Sequence, residues 1–189
     1  DNGSNAFRAG DPAELAVLDE HILRTPYLLL EAPEVMVIGV GGGVDVVNAL
    51  RRGAARIVGV ELQPITVRLH AGLLAEWIGG AMQRPEVTLV AAEGRHYARS
   101  SDGAFDLIQI TATDTFSAQS TGAYVLAESY LYTEEAMGDF LGHLREDGVL
   151  SLTLGDVVYN DDTIPPALAT RLCLTAMEAL RDRGVSDPA

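Results

Sequence analysis

Residues 35–45 read VMVIGVGGGVD, an apolar run that leads into closely spaced glycines. The run predicts a buried strand, and the glycines predict a tight turn that opens onto a helix. A second apolar run starts at Arg56 and ends on Glu61, 22 residues after Gly39. An acid about 20 residues beyond the first glycine of such a unit is typical of a Rossmann-type sheet that binds a nucleoside through its ribose hydroxyls.

The spacing of the glycines indicates which nucleoside is bound. A dinucleotide fingerprint needs the pattern G-x-G-x-x-G, but in either frame its third glycine would fall on a valine, Val44 or Val46. The stretch GVGGG that begins at Gly39 instead matches G-x-G-x-G, the form usual in enzymes that use S-adenosylmethionine (SAM). We therefore expect Gly39, Gly41 and Gly43 to contact SAM, the alternative being a tight turn without a ligand.

Composition restricts the remaining classes of function. The formal net charge of −14 argues against nucleic-acid binding, because phosphate contacts need clustered Lys and Arg. It is compatible with a cationic or neutral small substrate, and equally with simple solubility. No apolar stretch reaches the roughly 18 residues of a membrane span, so we expect no span in this chain and a cytoplasmic location. The four histidines show no metal-ligand spacing, so no metal site is predicted.

Predicted strands and helices alternate along the whole chain. The strands are predicted at 35–39, 56–61, 87–91, 106–110 and 149–154, and the helices at 12–30, 44–52, 64–78, 95–100, 133–145 and 165–183. This alternation predicts an α/β fold with a mostly parallel, doubly wound sheet, as one domain over residues 1–189 in which residues 1–10 are flexible. Right-handed crossovers then place all carboxyl strand ends, and with them the ligand, at one edge.

Several candidate cofactor residues fall at that edge. Glu61 is the expected acceptor for the ribose hydroxyls, and Leu62 beside it is assigned to the same site. Glu93 follows the third strand and is placed to meet the adenine, with Gly94 allowing close approach; its alternative role is to cap its own helix. Asp45 either bonds the amino-acid end of SAM or caps the helix that it begins.

The segment after the fourth strand is where a transferase would meet its acceptor. Thr111, Thr113 and Asp114 follow this strand, and Asp114 brings a carboxylate. We predict that Asp114 orients or deprotonates an acceptor amine, and we assign Thr111 to the same catalytic segment. The alternative for Asp114 is a turn residue.

Residues 19–154 resemble the spermidine synthase-like branch of the SAM-fold transferases. The segments that carry the resemblance are VMVIGVGGGVDVVNALRRGAARIVGVELQP, EWIGGAMQRPEVTLVAAEGRHY, FDLIQITATDTFSA and ESYLYTEEAMGDFLGHLREDGVLSLT. The phrases EGR, DLIQI and LYTEEA, with Asp114, most resemble bacterial spermidine synthase-like proteins, in some of which the domain is fused to a membrane region. The resemblance implies a SAM-dependent methyltransferase fold, SAM or decarboxylated SAM as cosubstrate, a polyamine-type small-molecule acceptor, a homodimer, and a membrane region ahead of the domain.

The sequence departs from this family mainly in the acceptor half of the site. The family's Asp-x-x-Asp after the fourth strand has Thr111 at its first position and retains only Asp114. Its Tyr-His-Glu aligns with Leu-Asp-Glu at 18–20, and an Asp of its glycine turn is replaced by Gly42. The fold usually adds two strands after a helix such as 165–183, so we expect the final strands to be missing.

Two functions of different classes follow from these observations. The leading prediction is a transferase that binds SAM or decarboxylated SAM and moves a methyl or aminopropyl group to a small acceptor. The alternative is a nucleoside-binding regulatory domain that has lost catalysis, motivated by Thr111 and by the absent Tyr and His. A NAD-dependent oxidoreductase is disfavoured by the broken dinucleotide fingerprint.

Overall fold

The computed structural model describes residues 12–111, 130–154 and 167–188. Within these residues five strands form one sheet: β1 (Glu34–Ile38), β2 (Arg56–Glu61), β3 (Val87–Ala91), β4 (Phe105–Thr111) and β5 (Leu144–Thr153). Their spatial order is β3-β2-β1-β4-β5, and every neighbouring pair is parallel. The order reverses beside β1, which is the topological switch point where open α/β sheets bind ligands. The predicted Rossmann-like fold is confirmed.

Six helices of the described residues precede, connect or follow these strands. They are α1 (Pro12–Glu20), α2 (Val44–Arg51), α3 (Pro64–Ala71), α4 (Gly94–Ser100), α5 (Glu134–Gly142) and α6 (Ala167–Asp182), with 3-10 segments at Ile22–Leu28, Ala81–Gln83 and Tyr130–Tyr132. None of them is both long and apolar enough to cross a membrane.

The sheet is covered on both faces, as the near-continuous apolar strands require. Because side chains alternate along a strand, successive residues of β1 enter opposite core layers. The layer that α2 covers contains Val35, Val37, Val46, Ala49, Ile57 and Leu107. The layer that α4 and α5 cover contains Met36, Ile38, Val58, Ala98, Ile108 and Phe140.

Two predicted helices are shorter than the sequence indicated. The helix predicted at 12–30 is wrong beyond Glu20, because His21 is extended and its Nδ1 accepts a hydrogen bond from the Leu23 amide, which starts a separate 3-10 segment. The helix predicted at 64–78 ends at Ala71, where the following Gly72 leaves helical geometry. In both cases the apolar periodicity continued beyond a local break in the backbone.

The fifth strand begins earlier than predicted, at Leu144 instead of residue 149. Phe105 pairs with Leu144 and Leu107 pairs with Val149, so the register shifts between the two pairs. Asp147, whose φ is 64°, lies between these two paired residues of β5. Residues 145–148 therefore form an irregularity within the strand, ahead of the regular pairing that starts at Val149.

Candidate functional site

The glycine turn (residues 39–43) links β1 to α2 with a backbone that favours glycine. Gly39, Gly41 and Gly43 have φ values of 85°, 48° and 91°, in the left-handed region that residues with a Cβ rarely adopt. The Gly43 amide donates to the Val40 carbonyl at 2.8 Å, which closes the turn. A Cβ on Gly43 would also lie 2.4 Å from the Met82 side chain. The backbone conformation therefore favours glycine at position 43, and the end of the Met82 side chain would have to move to admit a Cβ.

Side chains hold Gly41 from two directions. Its amide donates to Glu61 Oε2 at 3.0 Å, and its carbonyl lies 2.8 Å from His70 Nε2. Because a carbonyl only accepts, His70 must carry its proton on Nε2. His70 is fully buried on α3, 29 residues along the chain from Gly41. No sequence motif indicates this role for His70, since its spacing from the glycines matches none.

Glu61 ends β2 as predicted, and its carboxylate is held in one orientation. Oε1 accepts the Gln63 amide at 2.8 Å and Oε2 accepts the Gly41 amide at 3.0 Å. A carboxylate has about four acceptor positions, so these two bonds leave capacity for the two hydroxyls of a ribose. Leu62 beside it is 52% exposed, which makes its apolar side chain accessible at this edge of the sheet.

Glu93 uses both carboxylate oxygens to cap α4. Oε1 accepts the Arg95 amide at 2.8 Å and Oε2 accepts the His96 amide at 2.7 Å. The capping alternative is therefore observed, and the adenine contact stays a prediction. Gly94 is buried, and a Cβ there would lie 2.4 Å from Ile38 Cγ2. This glycine thus allows α4 to pack closely on β1.

Asp45 does not cap α2, which was one of the two roles that the sequence left open. Its capping role is wrong: Gly43 is the N-cap residue of α2, and Asp45 Oδ1 instead accepts Gln109 Nε2 at 2.6 Å and Thr111 Oγ1 at 3.2 Å. The residue is 3% exposed, and this burial raises the pKa of Asp45 to about 7, against the lowering effect of the Thr111 hydrogen bond. A bond from Asp45 to SAM stays a prediction.

Gln109 and Tyr27 extend this group of buried polar side chains. The Tyr27 hydroxyl donates to Gln109 Oε1 at 2.9 Å, and Tyr27 and Gln109 are 7% and 0% exposed. Neither residue was predicted from the sequence as part of the site. Gln109 does carry a signal, since it is the polar residue in the middle of the apolar strand FDLIQIT.

The carboxyl edge of the sheet brings most predicted residues together. The glycine turn, Glu61 and Thr111 follow or end β1, β2 and β4, and Thr111 is half-buried. Asp114 lies outside the described residues, so its catalytic role stays a prediction. Within 12–111, 130–154 and 167–188, no group of three or more His, Cys, Asp or Glu side chains is arranged to hold a metal ion.

Sequence comparisons relate the chain to aminopropyl-transferring enzymes, although no family model matches it. It is 32% identical to polyamine aminopropyltransferase 1 of Hyperthermus butylicus over 126 aligned residues. The alignment covers 64% of this chain and 40% of that protein. It is 28% identical over 152 residues to a polyamine aminopropyltransferase of Streptococcus uberis, covering 79% of this chain and 50% of that protein. The chain therefore spans half or less of these relatives.

Solved structures share the fold. A spermidine synthase from Thermotoga maritima matches with a TM-score of 0.60 at 22% identity, over 82% of this chain and 47% of that one. A spermidine synthase in complex with the transition-state analogue AdoDATO matches with a TM-score of 0.61 at 22% identity, over 87% and 49% of the two chains.

Proposed function

Since this chain belongs to the spermidine synthase-like family, we propose that it binds decarboxylated SAM at the glycine turn and transfers its aminopropyl group to a small amine. The polyamine aminopropyltransferases to which the chain is similar favour aminopropyl transfer over the methyl transfer that the glycine pattern equally allowed. SAM itself is the second donor to be tested.

The geometry of Glu61 is the observation that carries the proposal. Its carboxylate is buried, and two backbone amides fix it beside the glycine turn. A preorganised carboxylate of this kind binds a ribose diol without first having to lose side-chain entropy. Leu62 and the backbone of the glycine turn supply the apolar and close-packed surroundings that an adenosine needs.

The acceptor is proposed to approach from the carboxyl end of β4. There Thr111 presents a half-buried hydroxyl, and the chain's net charge of −14 attracts a cationic amine. In the transfer the nitrogen lone pair forms a bond to the carbon next to the sulfonium, the carbon–sulfur bond breaks, and its electron pair stays on sulfur. Catalysis of such a displacement comes mainly from positioning the two reactants.

Calorimetric titration followed by a turnover assay tests the proposal. We expect decarboxylated SAM and 5′-methylthioadenosine to bind, NADH not to bind, and a short diamine to be aminopropylated, as detected by mass spectrometry. The variant Glu61→Gln should weaken methylthioadenosine binding by about 10-fold or more, since hydrogen bonds to a charged group contribute about 1.5–3 kcal/mol. The exposed Glu20→Gln is the matched control and should bind normally.

Each other outcome points to a different function. A preference for SAM with no use of the decarboxylated donor would indicate methyl transfer. Nucleoside binding without turnover of any amine would indicate the regulatory domain instead. Failure of every nucleoside to bind the full chain would refute the proposed site.

A further inference from the structure

We propose that Asp45 supplies the carboxylate of the acceptor half of the site, and that it acts on the attacking amine through the Thr111 hydroxyl. The inference rests on the proposed function, because the amine in question is the acceptor of that reaction. It gives Asp45 a role on the acceptor side, which differs from the donor-side and capping roles that its sequence position indicated.

The contact between Thr111 and Asp45 sets the direction of the hydroxyl. Thr111 Oγ1 lies 3.2 Å from Asp45 Oδ1, and between a hydroxyl and an ionised carboxylate the hydroxyl must donate. One of its lone pairs faces Gln109 Nε2 at 3.5 Å, and the other is left to accept from a further donor. Because Thr111 is half-buried at the end of β4 while Asp45 is 3% exposed, an amine reaches the hydroxyl and not the carboxylate.

Gln109 and Tyr27 fix the carboxylate that receives this bond. The Tyr27 hydroxyl donates to Gln109 Oε1 at 2.9 Å, which turns Gln109 Nε2 towards Asp45 Oδ1 at 2.6 Å. Three elements thus each contribute a polar side chain to a chain of hydrogen bonds: the 3-10 segment at Ile22–Leu28, β4 and α2. All three side chains are buried. This series of hydrogen bonds ends at the half-buried Thr111, at the carboxyl edge of the sheet.

The proton balance of the transfer is closed by this arrangement. The amine arrives as an ammonium ion and must lose one proton before its nitrogen has a lone pair for attack. That proton passes to Thr111 Oγ1 while the Thr111 hydroxyl proton passes to Asp45 Oδ1, which leaves Asp45 neutral. The nitrogen lone pair then forms the carbon–nitrogen bond as the carbon–sulfur bond breaks, its electron pair stays on sulfur, and the positive charge moves from sulfur to the product ammonium. Burial keeps the pKa of Asp45 at about 7, near the value that suits a proton acceptor at neutral pH.

Variants of the full chain test this role in the aminopropylation of 1,4-diaminobutane. We expect Asp45→Asn and Thr111→Val each to lower kcat by about 100-fold or more, which is the usual contribution of general-base catalysis. Thr111→Ser keeps the hydroxyl and should retain most of the activity. The double variant should be no slower than Thr111→Val alone, because both changes interrupt one pathway. Affinity for 5′-methylthioadenosine should change less than about twofold in every variant, since Glu61 is untouched.

Asp19→Asn is the matched control. It removes the same charge from a carboxylate that pairs with Arg51 and Arg52 on the outer side of α2, away from Thr111. Its kcat should stay close to that of the unchanged chain. A folding defect is separated from a chemical one by measuring kcat below the melting temperature of each variant.

A second readout does not depend on turnover. Binding of 1,4-diaminobutane is measured by calorimetry in the presence of 5′-methylthioadenosine. Asp45→Asn should weaken it by about 10-fold or more, because the Thr111 hydroxyl that accepts from the amine would no longer donate to a charged carboxylate. Normal kcat and normal amine affinity in Asp45→Asn would overturn the inference. So would a double variant whose fold-loss in kcat equals the product of the fold-losses of the two single variants. Binding of methylthioadenosine but of no diamine by the unchanged chain would overturn it as well. Absence of methylthioadenosine binding would instead refute the proposed function itself.

Discussion

At the residue scale, Asp45 makes the stability of the fold depend on pH. Burial raises the pKa of Asp45 from 3.8 to about 7, so the folded chain holds a proton that the unfolded chain releases. The contribution of this group to folding stability is therefore present at low pH and decreases as pH rises from about 4 to about 7. The decrease expected for a shift of this size is about 4 kcal/mol.

Asp45→Asn removes this titration and tests it. The difference in unfolding free energy between the variant and the unchanged chain should shift in favour of the variant as pH rises from 4 to 7. Urea unfolding at a series of pH values measures that difference and cancels the contribution of the other carboxylates. A difference that is constant across this range would contradict the raised pKa.

Gly94 and Gly138 form a matched pair for testing close packing. A Cβ on Gly94 would lie 2.4 Å from Ile38 Cγ2, whereas a Cβ on Gly138 would meet no atom within 4 Å. We expect Gly94→Ala to destabilise the fold by about 1–3 kcal/mol through overpacking. Gly138→Ala, in the helix α5, should stabilise it by about 0.5–1 kcal/mol through helix propensity. Thermal unfolding that shows equal effects would contradict this packing.

At the element scale, α3 contacts the glycine turn through His70. The His70 Nε2–H bonds the Gly41 carbonyl at 2.8 Å, and Gly41 in turn bonds Glu61, so α3, the turn and β2 are fixed together. The same helix residue is anchored by Gln83, whose Nε2 donates to the His70 carbonyl at 2.7 Å. The position of Glu61, the carboxylate proposed to bind the ribose, therefore depends on a helix that does not need to contact the ligand.

His70→Ala should disturb this arrangement. It leaves the Gly41 carbonyl without its side-chain donor and opens a cavity, so we expect a loss of unfolding free energy of about 1–3 kcal/mol or more. Weaker binding of 5′-methylthioadenosine should accompany that loss. His70→Gln retains an amide donor and should recover part of both quantities, as measured by denaturation and calorimetry. Normal nucleoside affinity in a folded His70→Ala variant would show that the turn needs no support from α3.

Ion pairs lie at the amino edge of the sheet, opposite the carboxyl edge where the site is proposed. Glu34 contacts Arg56 and Arg145, and Arg145 also contacts Asp106 at 2.6 Å. These residues lie at or near the amino ends of β1, β2, β4 and β5. These ion pairs thus connect the amino ends of the strands, whereas the residues of the proposed site lie at the carboxyl ends.

At the scale of the whole molecule, the net charge of −14 should act on the acceptor and not on the nucleoside. Long-range attraction of a diamine is screened by salt, because the Debye length falls from about 10 Å at 0.1 M to about 3 Å at 1 M. We expect the KM for 1,4-diaminobutane to rise several-fold over this range. The affinity for uncharged 5′-methylthioadenosine should stay within about twofold, since it lacks the charge that is screened. Parallel changes in the two quantities would contradict an electrostatic cause.

The sequence by itself determined the order of strands and helices, the glycine turn and the place of Glu61. These features depend on local patterns: apolar runs, positive-φ glycines, and a carboxylate at the end of a parallel strand, which topology carries to a single edge. For the same reason the resemblance to a family could be stated from continuous segments. The ends of the long helices were wrong where a single extended residue or glycine interrupted the periodicity.

Only the tertiary structure decided what the buried polar side chains contact. Asp45 meets Gln109 across 64 residues of chain, and Tyr27 meets Gln109 across 82. His70 likewise reaches Gly41 only because α3 packs beneath the turn. Such pairs depend on how α2 and α3 lie against the sheet and on which rotamer each side chain adopts there. A local sequence pattern encodes neither property, because the packing that selects the rotamer comes from residues far away in the chain.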